Sequence, residues 1–570
     1  MNANQISRRG FVGMAGAASL GMMLSGCGTY TSSDSSKSEG SSSEGTASDS
    51  FTIIATQPNT LNMIQSASNL DNYCFYLTQE MLFRPYDGVW SPEVVDSFEV
   101  SDDNLTYTYH LKETTWSDGT AITAADFAYY LTAQLDPANA SANGANFVTL
   151  YHFKNADKYY AGECGVEEVG IQATDDTTLV LTLDQVVADF DGTNFTCYPL
   201  SASFVAEKGE ALGGTADDYM CSGPYVLKEW VYDSQLTYEK NDKYLNADTS
   251  FQVKTINWLE KNDENASVTM FEGGQADAIL QVNSSSYEQL KDYITKYPGG
   301  AIKGVQLNVY GQGDEAKAAV LSNKNFRYAL SYAIDRESVA QAASVLYKGA
   351  NRYLVAPASG KTADTYFADD FPVDDVAAPI AGDTEQAKKY LEAALSELGY
   401  ASVDELPAMS YLTFDSEAYR NIAELLVDQW KQILGITSIT IDLKPVSDAV
   451  QSMMTYQYDM YFTALSVTAT PAESMGYWIT GGAVNDIAAS GQNLWSNDEY
   501  DQLISQASQE TDRASRMALY AEAEKILLQE CPLIFIATDE AATALAKGVS
   551  GFMENALDNA VELDKLTVTK

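Results

Sequence analysis

Residues 105–111 read Leu105-Thr106-Tyr107-Thr108-Tyr109-His110-Leu111, an alternation of apolar and polar side chains that is typical of a half-buried strand. The next quoted segment, Trp116-Ser117-Asp118-Gly119-Thr120, contains an Asp-Gly pair and predicts a turn. Thr123-Ala124-Ala125-Asp126 then has the form of a capping box and predicts a helix that runs to Leu135. A strand, a turn and a helix thus follow one another within about 30 residues.

The same two kinds of element recur along the rest of the chain. Strands are predicted at Phe51–Ala55, at Thr178–Leu183, at Tyr225–Trp230 paired with Gln235–Glu239, and at Leu533–Ala537. Helices are predicted at Phe326–Val345, 384–398, 416–433, 498–508 and 511–529. Helices and strands mix without one regular βα period, so the fold class is α/β in a broad sense.

Composition indicates a folded, exceptionally acidic protein. The chain has 570 residues, 45% of them hydrophobic, and it carries 34 basic against 79 acidic residues. Such a surface repels nucleic acid and anionic lipid headgroups, so we expect no nucleic-acid partner. A chain of this length can bury a large core in two or more lobes.

The N-terminus has the pattern of an export signal. Arg8 and Arg9 precede a short apolar run, Phe11–Leu24, which ends in Leu24-Ser25-Gly26-Cys27. The run is too short to span a membrane, and the arginine pair with Phe11 resembles a twin-arginine signal. Leu-Ser-Gly-Cys resembles a bacterial lipobox, which predicts a signal peptide over 1–26 and lipidation of Cys27. A Ser-rich tether at 27–50 would then hold the protein at the outer face of the cytoplasmic membrane.

Residues that carry chemistry are sparse. The sequence has no G-x-S-x-G, H-E-x-x-H, Walker A or S-x-x-K motif, and its only histidines are His110 and His152. We therefore expect no enzyme, no cofactor and no metal site.

Beyond Cys27 five cysteines remain, an odd number, and their spacing selects no disulfide pattern: Cys74, Cys164, Cys197, Cys221 and Cys531.

Five segments, in order, resemble the extracellular solute-binding proteins of family 5, the oligopeptide- and dipeptide-binding lipoproteins of peptide ABC transporters. They cover about residues 51–545 and comprise Trp116–Phe127, Ser222–Tyr244, Phe326–Arg336, Asn493–Asp501, and Tyr520–Glu524 with Cys531–Ile534. The resemblance implies a two-lobed periplasmic-binding-protein-like fold of class II type, with an extra subdomain on the first lobe and a hinge between the lobes.

The resemblance also implies domain boundaries and partners. Lobe one would comprise 51–95, 219–302 and 532–570, the extra subdomain 96–218, and lobe two 303–531. The implied function is capture of an oligopeptide-like ligand between the lobes and delivery to a membrane permease with its ATPase. We expect a monomer, attached to the membrane only through the lipid on Cys27.

The expected ligand-binding residues lie in two regions. Gln57, Asn59 and Tyr225 would come from lobe one, and from lobe two Ser466, Thr468, Thr470, Glu473, Tyr477, Trp478 and Trp495. Another solute, such as an oligosaccharide or a metal chelate, is an alternative ligand. A surface receptor for peptide signals is an alternative role.

One position departs from the pattern of the family. Members carry a W-x-A-D-Y-x-D-P-like segment whose Asp pairs with the free amine of the peptide. Here the stretch is Ala464–Pro471; Val467 stands where that Asp would be, and Thr470 stands at the second acidic position. The early T-L-D-P-like signature is also altered, to Thr60-Leu61-Asn62-Met63. The resemblance therefore implies that the amine anchor is lost, moved to the nearest acid, Glu473, or not needed.

Overall fold

The computed structural model describes residues 46–570 except 67, 87–88, 188–189, 191, 193–194, 249–250, 363–364, 469, 483–493 and 556–559. The predicted signal peptide and Cys27 lie outside the described residues. None of the helices in the described part combines the length and the apolar character that crossing a membrane requires.

The described chain forms two compact units. The first comprises residues 46–282, 286–295 and 543–570, and the second comprises residues 283–285 and 296–542. Each unit is therefore assembled from segments that are far apart in the sequence. The separate subdomain at 96–218 stays a prediction.

In the first unit, the predicted strand at 51–55 is confirmed at the centre of a mixed sheet. Ser50–Ala55 pairs in parallel with both Thr255–Glu260 and Ala278–Ile279. Phe51 and Ile53 are fully buried in the apolar core of this unit. The sequence assigned the residues just before this strand to the tether. In the structure two of them are hydrogen-bonded to residues 568–570: the N–H of Thr46 donates to Lys570 O, and that of Ser48 donates to Val568 O.

The segment at 105–135 folds as predicted. Thr106–Leu111 is a strand of a four-stranded antiparallel sheet, with Tyr107 and Tyr109 buried and His110 exposed. The turn closes through a hydrogen bond from Gly119 N to Trp116 O (2.8 Å), and Gly119 has a φ of 96°, which favours glycine. The helix is Ala124–Leu135, and the Asp126 carboxylate accepts from Thr123 N (2.8 Å) at its start.

In the second unit, a long strand that the sequence did not predict forms the centre of the sheet. Ile294–Leu307 pairs antiparallel with Met460–Ser466, which lies parallel to Met409–Phe414. Gly304 allows the neighbouring strand Leu533–Leu545 to come close, since a Cβ there would lie 2.6 Å from Ile534 O. The absence of a side chain at residue 304 is thus a packing requirement.

One predicted helix is wrong in its continuity. Phe326–Val345 was expected as a single helix, but the structure has two, Lys324–Tyr332 and Arg336–Ala343. Asp335 has an extended backbone between them, and its carboxylate accepts from Ser338 N (3.2 Å) as an N-cap. The helical spacing of apolar residues continues through this break, so periodicity alone does not reveal that the helix is interrupted.

The other predicted helices and strands agree with the observed positions, including the strand pair at 225–240 and the helices at 384–398, 416–433, 498–508 and 511–529. The α-helices are Asn72–Thr78, Ala124–Leu135, Gly144–Tyr151, Ala156–Tyr160, Ala202–Lys208, Glu264–Glu272, Tyr287–Leu290, Glu315–Ser322, Lys324–Tyr332, Arg336–Ala343, Phe367–Asp370, Thr384–Leu398, Glu417–Leu434, Val446–Met454, Pro471–Gly476, Asp498–Ala507 and Arg513–Glu530. The longer strands are Ser50–Ala55, Val95–Val100, Thr106–Leu111, Ile171–Asp175, Thr178–Thr182, Tyr225–Val231, Gln235–Lys240, Thr255–Glu260, Ile294–Leu307, Met409–Phe414, Ile439–Lys444, Met460–Ser466 and Leu533–Leu545. The shorter strands are Phe83–Tyr86, Val89–Pro92, Thr114–Thr115, Ala121–Ile122, Ala278–Ile279, Tyr347–Gly349, Val549–Ser550, Met553–Asn555, Ala560–Glu562 and Thr567–Val568.

The five cysteines of the described chain are free thiols. Four are buried, and Cys164 is half-buried. Burial raises the pKa of Cys221 to about 12, which leaves this thiol protonated and unreactive near neutral pH.

Candidate functional site

Three candidate residues of the second unit lie where the strand Met460–Ser466 connects to the helix Pro471–Gly476: Ser466, Thr468 and Thr470. Glu473 lies in that helix, and Tyr477 and Trp478 follow it. Thr468 N donates to Ser474 Oγ (3.1 Å), and the Thr468 hydroxyl donates to Thr470 O (2.8 Å). Ser474 is fully buried, so these bonds anchor the connection to the start of the helix. Ser466, Thr468 and Thr470 remain partly exposed on this fixed backbone.

Glu473 carries the negative charge of this region. The Tyr477 hydroxyl donates to Glu473 Oε1 (3.0 Å), one helical turn away. Burial and the Glu473 charge together raise the pKa of Tyr477 well above its ordinary value, so Tyr477 stays a hydrogen-bond donor. Glu473 is partly exposed, and among the described residues no lysine or arginine lies within ion-pair distance of it. Its second oxygen can therefore accept from an ammonium or amide group of a ligand.

Two of the predicted residues of the second unit differ in exposure. Trp478 is 1% exposed and its ring lies edge-on to that of Tyr353, with centroids 6.2 Å apart. It therefore belongs to the core and offers no surface to a ligand. Trp495 is half-buried, and its ring lies 5.0 Å from that of Tyr500, so part of the indole remains accessible.

Val467 is also a core residue. It is fully buried in the same apolar cluster as Ile302, Met475 and Trp478, and its N–H donates to Gly300 O (2.8 Å). A carboxylate in this place would lose its hydration without a partner, a cost of several kcal/mol. The environment of Val467 thus matches the apolar residue that the sequence has there.

The candidate residues of the first unit are mostly buried. Gln57 is 6% exposed: its N–H donates to Glu260 Oε2 (2.7 Å) and its Oε1 accepts from Trp230 Nε1 (3.2 Å). Tyr225 is fully buried, and its hydroxyl donates to Val253 O (3.1 Å). Of these three residues only Asn59 is exposed.

Sequence reasoning missed the residue that positions Asn59. Asp71 is fully buried, and its Oδ1 accepts from Asn59 N (2.7 Å), while Oδ2 accepts from the Ser66 hydroxyl (2.7 Å). Burial raises the pKa of Asp71 despite these bonds. The carboxylate fixes the loop that follows the first strand, but nothing in the sequence distinguishes it among 79 acidic residues.

In the described ranges, no group of three or more His, Cys, Asp or Glu side chains is arranged to hold a metal ion. The described candidate residues offer hydroxyl, amide, carboxylate and indole groups on a rigid backbone. Such groups bind and orient a solute.

Comparison with known proteins identifies the class as extracellular solute-binding proteins. The family model "Bacterial extracellular solute-binding proteins, family 5 Middle" matches residues 89–486. The chain belongs to family 5 of the bacterial extracellular solute-binding proteins, which are substrate-binding proteins of transport systems.

Relatives agree with this assignment over most of their length. The chain is 27% identical to the oligopeptide-binding protein OppA of Bacillus subtilis (strain 168), over 85% of this chain and 87% of the relative. It is also 27% identical to the probable deoxycholate-binding periplasmic protein YgiS of Escherichia coli (strain K12), over 84% and 85%.

A solved structure supports the fold. The unliganded open form of the murein tripeptide-binding protein MppA superposes with a TM-score of 0.74 at 21% identity, covering 92% of this chain and 98% of that one. The predicted two-lobed, periplasmic-binding-protein-like α/β fold is thereby confirmed.

Proposed function

We propose that this protein is the lipid-anchored receptor of an ABC importer, which captures an oligopeptide-like ligand and delivers it to a membrane permease. One observation carries the peptide assignment: the similarity to the Bacillus oligopeptide-binding protein extends over 85% of this chain. The partly exposed groups at 466–477 support it, because hydroxyl and carboxylate oxygens suit the N–H groups of an extended peptide backbone.

Ligand retention tests the peptide assignment. The protein, gently purified from its own host, is analysed by native mass spectrometry, and its thermal unfolding is followed with mixed peptides of two to eight residues. We expect a retained peptide and a rise in Tm, since a ligand that binds only the folded state stabilises it. The assignment fails if no peptide is retained and saturating mixtures leave Tm unchanged.

The site of the ligand's amino terminus is a finer part of this proposal. We infer that Glu473, and not residue 467, receives a free amine. Glu473→Gln should weaken binding of a free-amine peptide about 10- to 100-fold, the range of a lost charge-assisted hydrogen bond, and leave its N-acetylated form unaffected. Glu499→Gln, on an exposed helical position of the same unit, is the matched control. Equal losses for both peptides would contradict this role.

A bile-acid-like solute is the second candidate ligand. It is favoured by the relative YgiS, which is named for deoxycholate and is as identical to this chain as the peptide-binding relative. Deoxycholate included in the same thermal series, below its micellar concentration, separates the two. A Tm rise with deoxycholate and none with peptides would select this candidate.

Anchoring at Cys27 is tested independently of the ligand. Cells grown with a radiolabelled fatty acid should label the wild-type protein, and Cys27→Ser should abolish the label. A labelled Cys27→Ser protein would contradict the anchor.

A further inference from the structure

The loop at 56–66 follows the central strand Ser50–Ala55 of the first unit and carries Asn59, the exposed candidate residue of that unit. Ser50–Ala55 runs parallel to Thr255–Glu260 and Ala278–Ile279, and ligands of open α/β sheets bind beyond the carboxyl ends of such strands. Residues 56–66 form no helix or strand of their own. The shape of this loop therefore depends on the groups that surround it.

Gln134 holds the middle of this loop from a position 71 residues away in the sequence. It is fully buried near the end of the helix Ala124–Leu135, and its Nε2 donates to Met63 O (2.9 Å). Its Oε1 accepts from the Ser141 hydroxyl, so both ends of the amide are used. Because a buried amide is costly unless its groups are hydrogen-bonded, the positions of Gln134 and of the Met63 carbonyl depend on each other.

Two further contacts with the loop come from the same part of the chain. Asn143 Nδ2 donates to Ser66 O (2.9 Å), at the end of the loop. Leu61 N donates to Gly213 O (3.1 Å), and a Cβ at residue 213 would lie 2.1 Å from Asn62 N. The two backbones thus come so close that residue 213 has no room for a side chain.

We propose that Gln134 and Asn143 are positioning residues for ligand binding, because they fix the loop that presents Asn59. This inference rests on the proposed function. Asp71 holds the same loop through Asn59 N (2.7 Å), so the loop is fixed from two sides. The segment 96–218, which the sequence assigned to an extra subdomain, then acts on ligand affinity through this loop.

Gln134→Met and Asn143→Ala test the positioning role. Each should make the backbone amides of the 56–66 loop exchange faster with deuterium, measured by mass spectrometry on the protein without ligand. Each should also raise the half-saturating concentration of a ligand about 3- to 10-fold, the effect of losing one hydrogen bond that holds the loop. The probes are peptide pools of two to eight residues and, separately, deoxycholate below its micellar concentration. Tryptophan fluorescence follows both titrations well below the Tm of each variant.

Asn241→Ala is the matched control. Asn241 is a buried amide of the same unit, and its Nδ2 donates to Gly223 O (2.9 Å), outside the loop. The control should lower Tm but leave loop exchange and ligand affinity unchanged. A double-variant cycle adds a readout that loss of stability alone does not move: Asn59→Ala should weaken binding in the wild type and add little in Gln134→Met. Should Gln134→Met fail to fold, Asn143→Ala, at a partly exposed residue, takes its place in every comparison.

Each outcome decides the inference. Faster loop exchange together with weaker binding, absent from the Asn241→Ala control, supports it. Unchanged loop exchange, or unchanged affinity in spite of faster exchange, overturns it and leaves the proposed function intact. An equal loss of affinity in the control, or full additivity of Asn59→Ala and Gln134→Met, overturns it as well. A wild-type protein that binds neither probe overturns the proposed function, and this inference with it.

Discussion

The Glu80 carboxylate shows how burial and a neighbouring acid change the protonation of a single residue in this acidic protein. It is fully buried, and both of its oxygens lie within hydrogen-bond distance of the Thr114 hydroxyl (2.8 and 2.7 Å). Burial first, and then the charge of the nearby Glu93, raise the pKa of Glu80 to about 8. Glu80 is therefore largely protonated near neutral pH.

We expect this residue to make stability fall as pH rises. The folded protein keeps the proton of Glu80 up to about pH 8, whereas the unfolded chain loses it near 4.5, so unfolding releases a proton between these values. The free energy of unfolding then decreases with rising pH in this window, by up to about 1.4 kcal/mol per pH unit. Glu80→Gln, which resembles the protonated form, should lack this component when urea unfolding is followed from pH 5 to 8.

The control for Glu80 is Glu99→Gln, an exposed carboxylate in the same unit. It should give the same pH dependence as the wild type. If Glu80→Gln and the wild type give parallel curves, Glu80 does not hold a proton in the folded state.

Glu524 is also a buried carboxylate, but its charge is balanced by an arginine and by backbone N–H donors. It is fully buried, forms an ion pair with Arg352, and accepts from the backbone N–H groups of Tyr353 (3.1 Å) and Leu354 (2.7 Å). One side chain of the helix Arg513–Glu530 thus fixes the segment that begins at Arg352.

Breaking this pair should be strongly destabilising. Glu524→Gln leaves the Arg352 guanidinium buried without a counter-charge, which costs about 3–5 kcal/mol in the free energy of unfolding. Arg352→Met should cost a similar amount, and the double variant should be less destabilised than the sum of the two. Denaturant unfolding of the three variants measures the coupling; strict additivity would show that the two charges do not stabilise one another.

At the scale of elements, sequence patterns correctly predicted the helices and strands whose limits depend on residues close by in the chain. The strand Thr106–Leu111 and the helix Ala124–Leu135 follow from periodicity and capping within a few residues. The strand Ile294–Leu307 was missed, because Pro298, Gly299 and Gly300 interrupt its pattern and its partner strand begins at Met460. Pairing over more than 150 residues leaves no trace in a short window.

The break between Lys324–Tyr332 and Arg336–Ala343 gives a prediction at this scale. Asp335→Ala removes the N-cap acceptor and should lower the free energy of unfolding by about 1 kcal/mol. Asp335→Asn retains an acceptor oxygen and should stay close to the wild type. Thermal and urea unfolding measure both; equal losses would show that the charge of Asp335, and not its hydrogen bond, stabilises the helix.

For the candidate site, residue chemistry was predictable but exposure was not. Tyr225 and Trp478 were plausible ligand contacts by type, yet packing within their units buries both. Glu473 is partly exposed on its helix, and Asn59 is exposed on a loop whose backbone N–H donates to the Asp71 carboxylate. Burial depends on tertiary packing, which a linear pattern of residue types does not encode.

For the whole molecule, the resemblance to a family predicted the fold and function, which composition alone could not predict. Charge and length indicated an acidic, multi-lobed protein, and the motifs indicated the family, which the comparison confirmed.

The twin-arginine signal lies outside the described residues and stays a prediction. Changing Arg8 and Arg9 together to Lys should block export if this route is used, with precursor accumulating inside the cell on immunoblots of cell fractions. Unchanged export of the double-Lys protein would exclude the route.

The strand Leu533–Leu545 has a consequence for the order of synthesis. It forms strand pairs in both units, with Tyr347–Gly349 in the second and, through Ala544 and Leu545, with Ala278–Ile279 in the first. A growing chain on the ribosome therefore lacks a strand of each unit until residues 533–545 are made, and premature termination before them damages both units at once. Because the twin-arginine route transports folded proteins, export by this predicted route would have to follow the synthesis of the strand Leu533–Leu545.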